Sequence, residues 1–331
     1  MPSISVVMPV YNAETTVRRA IQSILDQTLT DLQLIVVDDG STDQSAAAIS
    51  QINDPRMVFV QENHQGVSRT ANLATKLAAA EIIARMDADD YSEPNRLQLQ
   101  YDYLHQQNVD VVGCQIRITT ATGQAVPSMH RYEHWINQET SNHDEIMAHR
   151  FVEFPLVNPT ILAKRKYFEL NFADNDFPED YDLMLRAASA GMKFGKVCQP
   201  LVTWTDSEHR LTRNDQRYSN DAFMACRRYY FRKDILESVD QVDLWGSGKT
   251  GKHWFRWLQQ TGLTVRKIIE VNPRKVGTFL DSVPVIHSDE MPPSDGTLMV
   301  CAVGAMGARP LIHKHANERG YELGTDLWFV A

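Results

Sequence analysis

The sequence has little cysteine and no long apolar stretch. Its four cysteines are widely separated: Cys114, Cys198, Cys226 and Cys301. Cysteine ligands of zinc come in closely spaced pairs, so this spacing argues against a zinc site and favours free thiols in a reducing compartment. No apolar run approaches the roughly 20 residues of a membrane-spanning helix. The opening segment, Ile4–Val10, lacks the charged region of a signal peptide and is predicted to form a strand.

An excess of positive charge is also absent. Lys and Arg total 33 against 42 Asp and Glu, which gives a formal net charge of −9. A chain of this charge has no electrostatic footprint for nucleic acid, and we expect no nucleic-acid partner. The contents of hydrophobic residues (43%) and charged residues (23%) are those of a globular protein, and 331 residues suffice for two domains.

Two acidic clusters follow strand-like apolar runs in the first third of the chain. Leu34–Val37 precedes the cluster Asp38–Asp43, and Ile82–Met86 precedes the cluster Asp87–Asp90. Strand and helix patterns alternate here, which predicts βαβ units and a mainly parallel sheet. Both clusters would then lie at the carboxyl ends of strands, where open α/β sheets bind ligands. The pairing suggests a site for a nucleotide and its metal.

The end of the first predicted strand, Pro9–Asn12, lacks the glycines of a G-x-G-x-x-G dinucleotide motif. Tyr11 instead offers an aromatic face on which a base can stack. Asp38 or Asp39 can accept a hydrogen bond from a pyrimidine N–H. These residues favour nucleotide binding without the usual glycine-rich turn.

A second turn, Asn63–Asn72, runs into a helix whose small residues allow close packing. Gly66 and Ser68 are residues that commonly begin helices. The amino end of this helix, together with Arg69, would favour a diphosphate. The alternative is that Arg69 is only a solvated surface residue.

The second acidic cluster suits a divalent cation. In an extended chain, residues i and i+2 point to the same side, so we expect Asp87 and Asp89 to converge and Asp90 to face away. Paired carboxylate oxygens are the hard ligands that suit Mg²⁺ or Mn²⁺ carrying a diphosphate.

Five motifs, in this order, resemble those of the inverting family 2 glycosyltransferases, which have the GT-A fold. They are Pro9-Val10-Tyr11-Asn12, Val37–Asp43, Gly66-Val67-Ser68 with Asn72, Asp87–Asp90, and Glu179-Asp180. The resemblance covers roughly residues 3 to 215. It implies a nucleotide-sugar donor, a glycan or lipid-linked glycan acceptor, and Mg²⁺ or Mn²⁺ as cofactor.

The resemblance also implies roles for individual residues. Asp89 would ligate the metal, with Asp90 as a candidate further ligand. The nucleotide-binding residues would be Pro9, Tyr11, Asn12, Asp38, Asp39, Arg69, Asn72 and Asp87. A divalent cation is needed because the departing nucleoside diphosphate builds up negative charge.

A general base is expected in the segment Pro178–Arg186, which opens a predicted helix. This helix should end near Gly191. The helix dipole favours the ionised form of carboxylates in the first turn, as a base requires. By the resemblance, Asp180 takes the proton of the acceptor hydroxyl, and Glu179 orients Asp180 or the acceptor. The alternative is that the two acidic residues only cap the helix.

Two further segments match the family less well. Asn158-Pro159-Thr160 stands where many relatives have His-Pro-Thr, which puts an acceptor-side histidine contact in doubt. Residues Thr205–Arg213 fall where relatives have a segment that closes over the diphosphate. His209, Arg210 and Arg213 would supply charge there, unless the segment is only a polar surface loop.

The whole pattern predicts an α/β protein of three regions: a GT-A glycosyltransferase domain at 1–215, a helical connector at 216–240 and a Rossmann-like domain at 241–331. In the last region, the glycine-rich turn Gly246–Gly251 and the later Glu270 fit an NAD-binding motif. The span has room for only one half of a dinucleotide fold, however. A structural, acceptor-binding or dimerising role is the preferred interpretation.

Three functions compete at this point. The leading hypothesis is a glycosyltransferase that uses a UDP- or dTDP-sugar in polysaccharide biosynthesis. The alternatives are an NAD(P)-binding oxidoreductase or sensor and a non-catalytic protein that binds sugar nucleotides. The basic, aromatic helix at 216–238 could touch a membrane or pack between domains, with packing preferred. We expect a cytoplasmic location, with contact at the inner membrane face and homo-oligomer formation as open alternatives.

Overall fold

The chain folds into two compact units in a computed structural model. The model describes residues 1–120, 127–138, 142–206 and 215–331. The first unit consists of Met1–Ile146 and Pro155–Cys226, and the second consists of Met147–Phe154 and Arg227–Ala331. Each unit has its own sheet, so the predicted α/β class with a second, smaller domain is confirmed. Within these described ranges, no helix is both long enough and apolar enough to cross a membrane.

An eight-stranded sheet forms the centre of the first unit. Its strands are β1 (Ile4–Val10), β2 (Leu32–Asp38), β3 (Met57–Gln61), β4 (Ile82–Arg85), β5 (Tyr91–Ser92), β6 (Val111–Thr120), β7 (Leu162–Lys164) and β8 (Phe194–Asp206). Their order across the sheet is β3-β2-β1-β4-β7-β6-β8-β5. The first four are parallel to one another, whereas β7 is antiparallel to both β4 and β6. Strand β1 therefore lies between β2 and β4, where the strand order reverses and α/β sheets bind ligands.

Helices connect these strands. Those that begin in the first unit are α1 (Val17–Leu25), α2 (Ser45–Ser50), α3 (Val67–Leu77), α4 (Arg96–Gln106), α5 (Pro127–Gln138), α6 (His143–His149), α7 (Arg165–Phe168), α8 (Glu179–Ser189) and α9 (Asn220–Asp234). Short 3₁₀ turns occupy Asn158–Thr160 and Gln216–Tyr218. In α1 the apolar positions that recur at helical spacing are all buried: Val17, Ala20, Ile21, Ile24 and Leu25.

Burial on both faces explains why the central strands are mostly apolar. Every residue of β1 and of β4 is buried. Val6 of β1, Ile21 of α1 and Leu34 of β2 belong to one core cluster and have no exposed surface. Burying a side chain of this size contributes roughly 1.5–3 kcal/mol. The core therefore holds the carboxyl ends of β1, β2 and β4 in a rigid arrangement.

The second unit contains a six-stranded sheet of order β11-β12-β10-β9-β13-β14. The elements are β9 (Gln241–Trp245), α10 (Lys249–Gln260), β10 (Thr264–Glu270), β11 (Phe279–Leu280), β12 (Val283–His287), a 3₁₀ turn (Ser288–Glu290), β13 (Leu298–Cys301), α11 (Ala308–Asn317) and β14 (Leu327–Phe329). All neighbouring pairs are parallel except β11 and β12. The five parallel strands follow the Rossmann order, with the first strand in the middle.

The sequence predicts one half of a Rossmann fold in this span, and the structure has the three strands of one half, β9, β10 and β12, with two further parallel strands. Strands β13 and β14 extend the sheet on the side of β9 away from β10. They are short, and the single helix α11 that joins them has ten residues. The second half is therefore represented by two strands instead of three.

The boundary between the units lies within α9, inside the predicted connector 216–240. The segment Met147–Phe154 belongs to the second unit, although the sequence pattern assigned it to the domain at 1–215. Phe151 supplies the reason. Its ring centroid lies 5.0 Å from that of Phe231 and 5.7 Å from that of Trp328. Contacts between residues so distant in sequence leave no local pattern.

Candidate active site

The turn after β1 is hydrogen-bonded to the loop after β2. Asn12 has a φ of 48°, in the left-handed region that asparagine tolerates better than most residues. Its Oδ1 accepts the Thr42 N–H at 2.8 Å, and its own N–H donates to Ser41 Oγ at 2.9 Å. Pro9 is buried in β1, in register with Val37 of β2. Both motif residues therefore shape the strand end, and their contacts with a nucleotide stay predictions.

Asp38 and Asp39 are buried and organise the loops around them. The carboxylate of Asp38 accepts the hydroxyl of Ser41 and, at 3.3 Å, its N–H. Asp39 accepts the N–H of Gln65 at 2.9 Å and the N–H of Gly66 at 3.0 Å, one on each oxygen. The loop that leads into α3 is therefore held by Asp39. Each carboxylate oxygen has two lone pairs, so both residues keep acceptor capacity for a nucleobase.

An aromatic pair stands at the end of β1. Tyr11 is 46% exposed, and the ring of His64 stacks on it with a centroid distance of 4.3 Å and an interplanar angle of 26°. His64 Nδ1 also lies 2.9 Å from Asp39 Oδ2. Gly40 lets the backbone of this loop come close, because a Cβ there would lie 2.7 Å from the backbone nitrogen of His64. His64 was not predictable as a site residue, since a histidine in a loop carries no spacing signal.

Arg69 and Asn72 on α3 contact the segment that precedes α8. Arg69 forms an ion pair with Asp174 at 2.8 Å, with both side chains about 60% exposed. Such an exposed pair contributes little stability and can exchange for a diphosphate. The side-chain amide of Asn72 donates from Nδ2 to the Phe172 carbonyl at 2.9 Å, and its Oδ1 accepts the Phe172 N–H at 2.8 Å. The nucleotide roles of Arg69 and Asn72 stay predictions, and Asn72 also has a structural role.

Three carboxylates converge directly after β4. Asp87, Asp89 and Asp90 each place one oxygen so that the three atoms lie within 4.8 Å of one another. The expectation that Asp90 faces away was wrong, because β4 ends at Arg85 and the chain then turns, with the Asp90 N–H 3.4 Å from the Asp87 carbonyl. Asp90 is buried and accepts the N–H of Thr205 at 2.8 Å. Oxygen-only donors at this spacing fit Mg²⁺ or Mn²⁺.

Two buried arginines accompany this acidic triad. Arg85 Nη2 lies 2.7 Å from Asp87 Oδ1. Arg96 has no exposed surface and donates to the Arg85 carbonyl at 2.8 Å. Burial lowers the pKa of Arg96, while the negative charges of Asp90 and Asp87 act to raise it. Neither arginine was predicted as part of the site, although Arg85 is a charged residue inside the apolar run Ile82–Met86 and was a visible signal.

The predicted base lies at the start of α8. The helix begins at Glu179 and ends at Ser189, just before Gly191, so both carboxylates are in its first turn, as predicted. Glu179 is buried, and the Tyr218 hydroxyl lies 2.5 Å from each of its carboxylate oxygens. Burial raises the pKa of Glu179 to about 7, the Asp180 carboxylate acts in the same direction, and the Tyr218 hydrogen bond opposes the rise. Asp180 is half-buried and is therefore the more accessible of the two.

Replacing Tyr218 with phenylalanine is expected to destabilise the protein more at high pH than at low pH. The raised pKa of Glu179 means that its contribution to stability is complete below its unfolded value of 4.5 and is lost as pH rises through about 7. Without the Tyr218 donor, ionised Glu179 loses its hydrogen bond, so the loss should be roughly 1.5–3 kcal/mol at pH 8.5 and smaller at pH 5. Urea unfolding at both pH values measures this difference.

Tyr167→Phe provides the matched control. The hydroxyl of Tyr167 is buried and has no hydrogen-bond partner among the described residues. Its removal should therefore cause no pH-dependent loss. Equal losses at pH 5 and pH 8.5 in Tyr218→Phe would show that the hydroxyl does not stabilise an ionised Glu179.

The two atypical segments differ in how far they can be described. Asn158 is half-buried in the 3₁₀ turn, and Thr160 at the end of this turn is buried. His209, Arg210 and Arg213, predicted to lie near the diphosphate, are outside the described residues.

The glycine-rich turn of the second unit is closed by its own residues. Gly246 has a φ of 109°, and a Cβ on Gly251 would collide with the Gly246 carbonyl. The carboxylate of Glu270 accepts the hydroxyl of Ser247 and lies 3.3 Å from Lys275 Nζ. Although burial acts to raise the pKa of Glu270, hydrogen bonds from Ser247 and from backbone N–H groups lower it to about 2. A ribose hydroxyl would have to displace Ser247 to reach this carboxylate.

A cleft of about 620 Å³ also lies in the second unit. It is lined by Gln241 and Leu298, at the starts of β9 and β13, and by Asp326, just before β14. Rossmann-type sheets bind ligands at the opposite, carboxyl ends of their strands. The position of the cleft therefore gives no support for a nucleotide site there.

The fold of the first unit is that of a GT-A glycosyltransferase. Residues 1–349 of the TarS protein of S. aureus, solved in complex with UDP-GlcNAc, align with a TM-score of 0.55 and 20% identity, over 70% of this chain and 67% of the TarS 1–349 chain. At this level of identity the likeness shows the fold alone. It confirms the fold class that the five motifs implied.

The chain belongs to glycosyl transferase family 2, whose family model matches residues 5–170. It is 26% identical over 272 residues to a chondroitin synthase of Pasteurella multocida (strain Pm70), which covers 72% of this chain but 27% of the synthase. It is 27% identical over 238 residues to the O-antigen biosynthesis glycosyltransferase WbnJ of Escherichia coli, which covers 70% of this chain and 88% of WbnJ. The chain thus spans well under half of the synthase and most of WbnJ, and the predicted family is confirmed.

Proposed function

We propose that the first unit transfers a sugar, with inversion, from a UDP- or dTDP-sugar to a hydroxyl group of a glycan or lipid-linked glycan. The observation that carries this proposal is the convergence of Asp87, Asp89 and Asp90 after β4 in a chain of family 2. The triad follows β4, and the buried pair Asp38 and Asp39 lies at the end of β2. Both strands are neighbours of β1. Nucleotides bind at such an edge in open α/β sheets.

The residues after β1 and β2 are suited to a pyrimidine base. Asp38 and Asp39 are acceptors held rigidly by the loops that they organise, so either can receive a base N–H without rearrangement. Tyr11 and His64 offer a stacked aromatic surface beside them. The UDP-GlcNAc complex of TarS, a protein of the same fold, adds support for a uridine donor.

The acidic triad is suited to a divalent cation, Mg²⁺ or Mn²⁺, with Asp89 as ligand, Asp90 as a further ligand and Asp87 nearer the donor. When bound, this cation would neutralise the charge on the departing nucleoside diphosphate. Asp90 is held in place by Thr205, and Asp87 by Arg85, so the carboxylates keep their positions before the donor arrives. Such preorganised charge avoids reorganisation during the reaction.

Asp180 acts as the general base. It accepts the proton of the acceptor hydroxyl while that oxygen attacks the anomeric carbon and the bond to the diphosphate breaks. The first turn of α8 favours its ionised form through the helix dipole. Glu179, buried against Tyr218, holds this turn in place and orients Asp180.

A polysaccharide acceptor is supported by two relatives whose names refer to chondroitin synthesis and O-antigen biosynthesis. Synthesis of this kind from nucleotide sugars fits the cytoplasmic location expected from the sequence. Contact with a lipid-linked acceptor at the inner membrane face belongs to the same proposal.

A second candidate, NAD binding by the second unit, is favoured by the Rossmann strand order and by the glycines Gly246, Gly248 and Gly251. Glu270 weighs against it, because Ser247 and Lys275 already engage the carboxylate that would bind the ribose. We therefore propose that the second unit does not bind NAD and takes no part in the chemical step.

Thermal unfolding with added nucleotides separates these candidates. UDP with Mn²⁺, at about 100 times its Kd, should stabilise the native protein by ~2.7 kcal/mol. At roughly 2–4 °C per kcal/mol for a domain of this size, the corresponding rise in Tm is roughly 5–11 °C. NAD at the same concentration should cause no shift. A shift with NAD and none with UDP and Mn²⁺ would favour the oxidoreductase or sensor.

Measuring release of nucleoside diphosphate from a panel of nucleotide sugars completes the test. Release with one donor, accelerated by a glycan acceptor, is the expected result and identifies the sugar. Stabilisation by UDP and Mn²⁺ without release from any donor would instead indicate a non-catalytic binding protein.

A further inference from the structure

Arg85 is a buried cation that directly contacts the acidic triad. It is the last residue of β4, its side chain is 2% exposed, and its Nη2 lies 2.7 Å from Asp87 Oδ1. Its Nη1 donates to the Met86 carbonyl. Its Nε has no hydrogen-bond partner among the residues that the structure describes. A buried guanidinium needs a negative partner, and Asp87 provides one.

The surrounding contacts fix the backbone of Arg85 at the end of β4. Its N–H donates to the Ile161 carbonyl at 2.8 Å, and its own carbonyl accepts Arg96 Nη2 at 2.8 Å. Arg96 is itself held by Gln100 Oε1 at 2.9 Å and by Met86 Sδ at 3.3 Å. The ion pair between Arg85 and Asp87 is therefore part of the buried structure of the site, unlike an exposed ion pair, which can dissociate.

This pairing divides the three carboxylates by role. The charge of Asp87 is offset by its ion pair with Arg85, and one oxygen of Asp87 lies within 4.8 Å of one oxygen each of Asp89 and Asp90. A divalent cation beside the triad would also be repelled by the guanidinium, and repulsion is strong where water is excluded. A donor diphosphate adds negative charge that offsets this repulsion.

We propose that the ion pair with Arg85 prevents Asp87 from ligating the metal and lowers the affinity of the triad for a free divalent cation. The cation then binds tightly only together with the donor diphosphate. Arg85 is thus a positioning residue of the metal site. The inference rests on the proposed function, because it presumes that the triad binds a divalent cation with a nucleotide.

Calorimetric titration of the full chain with MnCl₂, with and without UDP, tests the proposal. Wild-type protein should bind Mn²⁺ weakly alone and more tightly with UDP. In Arg85→Gln the repulsion is gone and Asp87 is released, so free Mn²⁺ should bind about tenfold tighter or more, which equals ~1.4 kcal/mol. The gain in Mn²⁺ affinity caused by UDP should shrink correspondingly.

A second variant keeps the test decisive if Arg85→Gln does not fold. Arg85→Met combined with Asp87→Asn replaces the ion pair by a neutral pair, a change that buried sites often tolerate. Its affinity for free Mn²⁺ should stay within about threefold of wild type, because Asp87 is already neutralised there. Arg56→Gln, which removes the partner of Asp54 elsewhere in the first unit, is the matched control and should leave Mn²⁺ binding unchanged.

The outcomes separate the inference from the function on which it rests. No Mn²⁺ binding by wild type, even with UDP, would remove the metal from the proposed function. Binding by wild type with unchanged or weaker free Mn²⁺ affinity in Arg85→Gln would overturn the role of Arg85 alone. A loss of tenfold or more in the double variant would do the same, because it would make Asp87 a metal ligand.

Discussion

Replacing Asp180 with asparagine is expected to slow glycosyl transfer by ~10²-fold or more while leaving donor binding nearly unchanged. Asparagine keeps the shape of the side chain but cannot accept a proton. Asp180 is half-buried in the first turn of α8, whereas Glu179 is buried against Tyr218 and less able to reach an acceptor. Release of nucleoside diphosphate in the presence of acceptor measures transfer, and calorimetry with UDP and Mn²⁺ measures donor binding.

Asp176→Asn is the control for this variant, because it removes an exposed carboxylate shortly before the same helix. It should transfer sugar at the wild-type rate. If Asp180→Asn also keeps that rate, Asp180 is not the base, and Glu179→Gln becomes the variant to examine. Loss of donor binding together with transfer would mean that Asp180 contributes to the donor site instead.

Replacing Asp89 with alanine is expected to abolish metal-dependent donor binding and turnover while leaving the fold intact. Asp89 is half-buried on the turn after β4 and is not part of the hydrophobic core. Loss of one carboxylate ligand removes both charge and an oxygen donor from the triad. Titration of UDP in Mn²⁺ and in EDTA, with a thermal unfolding curve of each protein, measures binding and fold separately.

Glu81→Ala is a suitable control for Asp89→Ala. Glu81 immediately precedes β4, at the end of the strand opposite the triad. Its side chain is 84% exposed and lies 3.5 Å from that of Arg165. Exposed pairs of this kind contribute little, so metal-dependent binding should be retained. Full activity of Asp89→Ala would exclude Asp89 as a required metal ligand.

The parts of the site that the sequence predicted are those with local patterns. Apolar runs before Asp38 and Asp87 predicted strand ends, because buried parallel strands need uniformly apolar residues. The start of α8 at Glu179 was readable from its amphipathic pattern. The direction of Asp90 was not, because the extended-chain rule ceases to apply once the backbone turns after Arg85.

Contacts between distant parts of the chain could not be predicted in the same way. His64 stacks on Tyr11, the Phe172 backbone engages Asn72, and Tyr218 bonds Glu179 across 39 positions. A periodicity carries no information about such partners, which are set by how the elements pack. Arg85 is intermediate, since its charge inside an apolar run was visible but its partner was not.

The interleaving of the two units along the chain limits how this protein can be divided. The chain enters the second unit at Met147, returns to the first at Pro155 and leaves it again at Arg227. A truncation after Lys233 would keep Phe151 but remove Trp328, so an aromatic ring of the core would gain an exposed face and favour aggregation. To exchange the second unit between relatives, Met147–Phe154 and Arg227–Ala331 would have to be transplanted together. The second unit is therefore not a module that is joined to the first at a single junction.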